Sequence, residues 1–199
     1  MWRADVDHSP RRACLLPPVR GIVPATVAST PGPEQHRDMP VDFIALFGVL
    51  AATRIRFVVV GGLAMLLHGV DRLTADADLV LDLAADELPD AVRALISAGY
   101  RPLAPVDPLA LADAASRAEW QHSKGMTVFS FWDSHHTRPT VDVLLESPVP
   151  FAELWARADV IRIGDTDVRI ASRADLIRLK EITGRERDQA DIESLRRLL

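Results

Sequence analysis

The stretch that decides the fold is FVVVGGLAMLLHGVDRLTADADLV, residues 57–80. It begins with a short β-branched run and two glycines, a pattern typical of a buried strand that ends in a tight turn. Apolar residues at helical spacing follow over residues 63–68, and a second apolar run predicts a strand over 77–83. Asp76 and Asp78 stand where this second strand begins, so the stretch predicts a strand, turn, helix and strand with acids at one end.

The remaining elements are predicted from the same two periodicities, outward from this stretch. Helices are expected over residues 41–53, 85–98, 109–119, 151–158, 172–182 and 187–198, and strands over 126–132, 140–145, 160–163 and 168–170. Ser172 is a suitable N-cap residue, and Gly184 separates the last two helices. The order of the elements predicts one α/β (α+β) domain with a helical C-terminal segment.

The first forty residues differ from the rest of the chain in composition. They hold seven of the fourteen prolines and show no apolar periodicity. We therefore predict a disordered, proline-rich tail over residues 1–40 and a folded domain over 41–199. The sequence shows neither the long apolar segment of a signal peptide nor a membrane span, and its one cysteine, Cys14, lies in the tail. A cytoplasmic protein with no membrane partner is expected.

Charge limits the kinds of partner. The chain has 23 basic and 28 acidic residues, and beyond residue 38 the balance is 18 against 24. This acidic total gives no sign of the basic face that tight, unaided binding of a nucleic-acid duplex needs. A small or transiently bound acceptor remains compatible with it, because a local basic patch can exist within an acidic whole.

Three acids stand where a metal site could form. Asp76 and Asp78 are two residues apart on a strand, so their side chains point to the same face. Asp142 interrupts the apolar strand VDVLL, where an unpaired charge would be unfavourable by several kcal/mol, roughly. A neighbouring strand would bring it to the first two acids. The three carboxylates suit two divalent ions about 3.5–4 Å apart, the arrangement that catalyses in-line attack on a nucleotide phosphate.

The glycine pair suits the phosphate tail of such a nucleotide. Gly61 and Gly62 let the backbone approach a ligand closely, and the helix that follows directs its first N–H groups at the same point. We therefore expect both glycines to bind the β- and γ-phosphates of a nucleoside triphosphate (NTP).

These motifs resemble those of a known family. GGLA at residues 61–64, RLTADAD at 72–78, Asp142, the DLIRLK run at 175–180 and the GRERDQADI run at 184–192 are similar to the polymerase-β-type nucleotidyltransferase superfamily. The similarity is to its small prokaryotic branch, which includes minimal nucleotidyltransferases and the abortive-infection toxins of toxin–antitoxin systems. It covers most of residues 57–199, and the combination of motifs is more specific than any one alone.

The resemblance implies a fold and an activity. The fold would be a mixed β-sheet flanked by helices, and the activity the transfer of a nucleoside monophosphate from an NTP to an acceptor hydroxyl on tRNA or protein. Two Mg²⁺ ions would be held by the three acids, and an antitoxin would be the partner. By resemblance, Arg72, Thr74, Lys180 and Arg187 join the glycines as nucleotide-binding residues. Glycine at position 62, where the superfamily often has serine, leaves phosphate binding there to backbone amides.

Other interpretations of the same residues stay open at this point. The shared core is also that of lincosamide and aminoglycoside nucleotidyltransferases, so an antibiotic acceptor is an alternative, as is a member that binds nucleotide without catalysis. Asp142 could pair with Arg101 or Arg138 in a structural salt bridge. Asp188 and Asp191 could form a helix-face network with Arg185 or Lys180.

Overall fold

A computed structural model describes residues 43–133, 138–184 and 186–198, except the side chains of residues 186 and 187. Within these ranges the chain forms seven strands: β1 (Phe57–Val60), β2 (Asp76–Leu81), β3 (Tyr100–Pro102), β4 (Val128–Asp133), β5 (Thr140–Leu144), β6 (Asp159–Ile163) and β7 (Thr166–Ile170). The same ranges hold seven α-helices: α1 (Phe43–Ala52), α2 (Gly61–Leu67), α3 (Leu88–Ser97), α4 (Ala114–Lys124), α5 (Phe151–Arg157), α6 (Arg173–Thr183) and α7 (Glu186–Arg196). The predicted tail, residues 1–40, lies outside the described residues, so its disorder stays a prediction.

The strands form one mixed sheet in the order β3-β4-β5-β2-β1-β7-β6. Strand β2 is antiparallel to β1 and parallel to β5, and β1 is parallel to β7. The other neighbours are antiparallel, including β4 and β5. The α/β fold with a mixed sheet, flanking helices and C-terminal helices is therefore confirmed.

Burial differs between the two halves of the sheet. All four residues of β1 are buried, and Phe47 of α1 stacks on Phe57 with ring centroids 5.9 Å apart. Strand β4 instead alternates, with Phe129 and Phe131 buried and their neighbours half-buried. Trp120 of α4 stacks on Phe129 at 5.4 Å, so that helix covers one face of β4. The other face of β4 and β5 is left partly open, and it carries Asp142.

Two predictions about local structure need correction. The segment 109–119 is not one helix: a 3₁₀ helix covers Pro108–Ala112, and α4 begins after Asp113, whose carboxylate accepts a hydrogen bond from the Ser116 N–H at 2.8 Å. The edge strand β3 was not expected, because it has only three residues and includes a proline.

The C-terminal segment agrees with its predicted caps. Ser172 Oγ accepts a hydrogen bond from the Asp175 N–H at 3.2 Å, which fixes the start of α6. Gly184 ends that helix in the left-handed conformation, with φ of +60°. No helix in the described part of the chain is long and apolar enough to cross a membrane.

Candidate active site

The sheet register brings the three predicted acids to one face. Asp78 of β2 lies directly opposite Asp142 of β5, and Asp76 lies opposite Thr140. Opposed residues of neighbouring strands point to the same side, and so do residues two apart on one strand. Asp76, Asp78 and Asp142 therefore form a carboxylate cluster at the beginning of two parallel strands.

Burial and mutual repulsion make this cluster electrostatically unfavourable without a counter-ion. Desolvation raises the pKa of Asp78, and repulsion by Asp142 and Asp76 raises it further; the Gly62 N–H bond and the Lys180 charge oppose the rise. Desolvation also raises the pKa of Asp142, with a hydrogen bond from Ser130 acting against it and repulsion by Asp76 adding to it. A cation placed among these carboxylates would offset their mutual repulsion and favour their ionised forms.

The three carboxylates supply the kind of ligand that the divalent ion implied by the resemblance needs. Asp142 Oδ1 is buried and has no hydrogen-bond partner among the described residues, so one carboxylate oxygen is available as a ligand. Oxygen ligands of this kind are those that Mg²⁺ prefers. In the described ranges, however, no three acidic, imidazole or thiol side chains are grouped so as to hold a metal ion. The residues fit the ion chemically, but a bound ion would have to draw them together.

Gly61 has a steric role that the sequence did not reveal. Its φ is +63°, and a Cβ atom at this position would lie 2.0 Å from Asp78 Oδ2 and 2.7 Å from Asp78 Cγ. Glycine at position 61 is therefore what allows the Asp78 carboxylate to lie against the turn. The next N–H, that of Gly62, acts on the same carboxylate, because it lowers the pKa of Asp78.

The loop between α2 and β2 occupies the space beside Gly62. A Cβ atom at position 62 would lie 3.0 Å from Arg72 Nε and 3.2 Å from Thr74 Oγ1. Thr74 also donates a hydrogen bond to the Asp76 carbonyl at 3.2 Å, which ties this loop to the start of β2. The structure thus places Arg72 and Thr74 next to the glycine turn, as the nucleotide-binding prediction requires.

Lys180 of α6 joins this region to the C-terminal helix. Its Nζ lies 2.6 Å from Asp191 Oδ2 and 3.2 Å from Asp188 Oδ1. Arg72 donates from NH1 to the same Asp191 oxygen at 2.5 Å, so two predicted phosphate ligands share one carboxylate. The proposed network of Asp188 and Asp191 with Lys180 is confirmed. Arg187 lies in α7, but its side chain is outside the described residues.

The alternative for Asp142, a structural salt bridge with Arg101 or Arg138, is not observed among the described residues. Arg138 donates to the Ala98 carbonyl and approaches Asp133 within 3.8 Å, and Arg101 donates to the carbonyls of Ile96 and Tyr100. Among the described residues, Asp142 makes no salt bridge.

Sequence reasoning missed Ser130. This residue lies on β4 directly opposite Asp142, and its hydroxyl lowers the pKa of the Asp142 carboxyl group. A signal was present, because Ser130 is the one small polar residue within the apolar run VFSFW.

Comparison with known proteins identifies the family of the chain. The profile of a family described as "Nucleotidyl transferase AbiEii toxin, Type IV TA system" matches residues 44–183. The solved structures with a similar fold include a lincomycin-bound lincosamide antibiotic adenylyltransferase, LnuA, at 12% identity and a TM-score of 0.52, over 78% of this chain and 95% of that chain. An antigenic nucleotidyltransferase-like protein from Paracoccidioides brasiliensis gives 18% identity and a TM-score of 0.48, over 78% and 77% of the two chains. No curated protein matches the sequence.

The similarity to LnuA, at 12% identity, shows only that the fold is shared, whereas the family profile covers most of the chain. The resemblance to polymerase-β-type nucleotidyltransferases is therefore confirmed. The chain belongs to the AbiEii family of nucleotidyl transferase toxins of type IV toxin–antitoxin systems, and it is a nucleotidyltransferase.

Proposed function

We propose that this protein transfers a nucleoside monophosphate from an NTP to a hydroxyl group of tRNA or of a protein, as the toxin of a toxin–antitoxin or phage-defence pair. It would act in the cytoplasm, with the product of an adjacent gene as its antitoxin. The observation that carries the proposal is the carboxylate cluster, in which Asp78 and Asp142 face each other in register and share their face with Asp76. Family membership supports the toxin role.

Asp76, Asp78 and Asp142 are the proposed ligands of two Mg²⁺ ions. When bound there, these ions would lower the pKa of the acceptor hydroxyl that attacks, and they would stabilise the negative charge on the departing pyrophosphate. The buried Asp142 Oδ1, which has no hydrogen-bond partner among the described residues, supports this assignment. So do the raised pKa values of Asp78 and Asp142, because burial and repulsion leave both carboxylates in need of a counter-charge.

The chain's own cations and amides would hold the triphosphate. Gly61 and Gly62 add no side chains of their own at the start of α2, where Asp78 lies against Gly61 and Arg72 and Thr74 lie beside Gly62. Lys180 influences the Asp78 carboxylate from α6, so its charge reaches the same site. Together with Arg187, these groups would orient the α-phosphate toward the acceptor.

The reaction itself needs one proton transfer. The acceptor oxygen forms a bond to the α-phosphorus, the bond from that phosphorus to the bridging oxygen breaks, and pyrophosphate leaves with the electron pair. Asp142 is the candidate to receive the proton from the acceptor hydroxyl. Its position next to Asp78, on the open face of β5, supports this role.

A labelling experiment tests both the activity and the acceptor. The purified protein is incubated with each of the four α-³²P-labelled NTPs, Mg²⁺ and either total tRNA, lysate protein, or a lincosamide or aminoglycoside. We expect label on tRNA or protein with the wild type and none with Asp76→Ala or Asp78→Ala. The control is Asp165→Ala, which removes an exposed acid from the turn between β6 and β7. Label found only on the antibiotic would replace the acceptor that we propose.

Two further results would overturn the proposal more broadly. Nucleotide that binds with no label transfer and no pyrophosphate release would identify a non-catalytic binder. Cells that grow normally while the wild-type protein is induced would contradict the toxin role. The proposal expects growth arrest with the wild type and normal growth with Asp76→Ala.

A further inference from the structure

Ser130 extends the row of residues that contains the carboxylate cluster. It lies opposite Asp142 in the β4–β5 register, and Asp142 lies opposite Asp78 in the β5–β2 register. The three side chains therefore stand side by side on one face of three neighbouring strands. Ser130 is the outermost of the three, on the side of Asp142 that faces away from Asp78.

The side chain and the backbone of Ser130 have different neighbours. The Ser130 carbonyl accepts a hydrogen bond from the Leu103 N–H at 2.9 Å, which holds the chain after β3 against β4. The hydroxyl instead acts on the carboxyl group of Asp142, which lies directly opposite Ser130 and whose pKa the hydroxyl lowers. The backbone contact would survive replacement of the side chain, so the two roles can be separated by mutation.

Serine is an unusual choice at this place. The flanking residues Val128, Phe129 and Phe131 are apolar, and β-branched or aromatic residues suit a half-buried strand better than serine does. Val128 lies on the same face of β4, two residues before Ser130 and opposite Leu144, and its side chain has no hydrogen-bond donor. Packing therefore does not explain the hydroxyl, whereas its place directly opposite the Asp142 carboxyl group does.

We propose that Ser130 is a positioning residue whose hydroxyl fixes the orientation of the Asp142 carboxylate beside Asp78. One oxygen of Asp142 is thereby kept for the ligand of the site, because Oδ1 has no partner among the described residues. Groups that hydrogen-bond to a metal-binding carboxylate restrict its orientation and raise the affinity of the site. This inference rests on the proposed function, since it assumes that Asp142 acts in transfer.

The test compares Ser130→Ala, Ser130→Thr and Asp142→Asn in two assays. In the labelling assay we expect Ser130→Ala to lower kcat by about tenfold or more, the usual effect of losing a hydrogen bond to a charged group, and to leave KM for the NTP within about twofold. Ser130→Thr keeps the hydroxyl and suits a strand, so it should restore kcat. Val128→Ala is the control for lost packing on the same face of β4.

The second assay measures the metal alone. Binding of Mn²⁺ without nucleotide, followed by electron paramagnetic resonance, should weaken by about tenfold in Ser130→Ala and recover in Ser130→Thr. Circular dichroism checks that each variant is folded. Should Ser130→Ala not fold, Ser130→Cys keeps the side-chain volume with a weaker donor and should show the same losses.

The outcomes separate this inference from the proposed function. Loss of transfer in Asp142→Asn with normal kcat and Mn²⁺ binding in Ser130→Ala would overturn the role of Ser130 alone. Full activity in Asp142→Asn would overturn the assignment of Asp142, and the inference with it. Equal losses in Ser130→Ala and Val128→Ala would show that packing, rather than the hydroxyl, matters.

Discussion

Replacing Gly61 with alanine tests whether this glycine makes room for Asp78. The new Cβ would lie 2.0 Å from Asp78 Oδ2 and 2.9 Å from Asp78 Cβ. Carbon atoms in favourable contact lie about 3.5–4.0 Å apart. Rotating the carboxylate cannot relieve the contact with Asp78 Cβ, so the turn or β2 would have to shift by about 0.5–1 Å.

Two effects set the expected loss of stability. An alanine in the left-handed conformation at φ of +63° is unfavourable by about 1–2 kcal/mol. Overpacking against Asp78 adds about 1–3 kcal/mol. We therefore expect the free energy of unfolding to fall by about 2–5 kcal/mol. Transfer activity should fall further, by about a hundredfold, because a shift of about 1 Å in a catalytic group can have that effect.

Gly69 provides the matched control. Its φ is +94°, yet no atom lies within 4 Å of a Cβ placed there. Gly69→Ala should therefore reproduce the backbone strain, about 1–2 kcal/mol, with little change in transfer. Urea unfolding and the labelling assay measure the two effects.

A double variant isolates the contact itself. Asp78→Ala removes two of the three atoms that the new Cβ would meet. Gly61→Ala should thus destabilise the Asp78→Ala protein less than the wild type, with a coupling of about 1 kcal/mol or more. Additive effects, together with equal losses in Gly61→Ala and Gly69→Ala, would refute the reasoning.

Three further predictions concern the charges. Asp78→Asn should raise the Tm of the metal-free protein by a few degrees at neutral pH, because burial and Asp142 raise the pKa of Asp78 and its ionised form is destabilising; a lower Tm would count against this. Burial raises the pKa of Asp175, but hydrogen bonds from Arg157 at 3.0 and 2.8 Å and from Ser172 outweigh it, so the pKa lies below the ordinary 3.8. The contribution of the Asp175 carboxylate to stability is complete above pH 3.8 and is lost as the pH falls through the lower pKa of the folded state. Asp175→Asn should therefore flatten the pH dependence of the free energy of unfolding in urea below about pH 4, and an unchanged slope would contradict this. Lys180→Met should lower the free energy of unfolding by about 1.5–3 kcal/mol, because Asp188 and Asp191 each lose a hydrogen bond from a charged partner in a largely buried site. A loss below about 1 kcal/mol in urea unfolding would argue against the network.

Local patterns predict the central part of the fold well. Strand β1 has the predicted bounds, because a short β-branched run next to two glycines allows few alternatives. The caps at Ser172 and Gly184 also act locally and place the ends of α6. Strand β3 depends instead on pairing with β4, some thirty residues away in the chain, and no pattern within three residues reveals such a partner.

The residues of the site also divide into those that local patterns predict and those that only distant contacts reveal. The alternation of a strand places Asp76 and Asp78 on one face, and the unfavourable charge within an apolar run identifies Asp142. The contact of Arg72 with Asp191 joins residues 119 positions apart, so only the folded chain shows it. The steric need for Gly61 was hidden for a similar reason, because the atom that it accommodates belongs to β2.

The shared carboxylate of Asp191 makes nucleotide binding an exchange of anions. Arg72 and Lys180 both already pair with this one carboxylate before any phosphate arrives. A triphosphate that takes these two cations must displace Asp191, so its affinity reflects the difference between two anions rather than the sum of new contacts. Loosening α7 would then favour the nucleotide, and anything that holds α7 in place would oppose it.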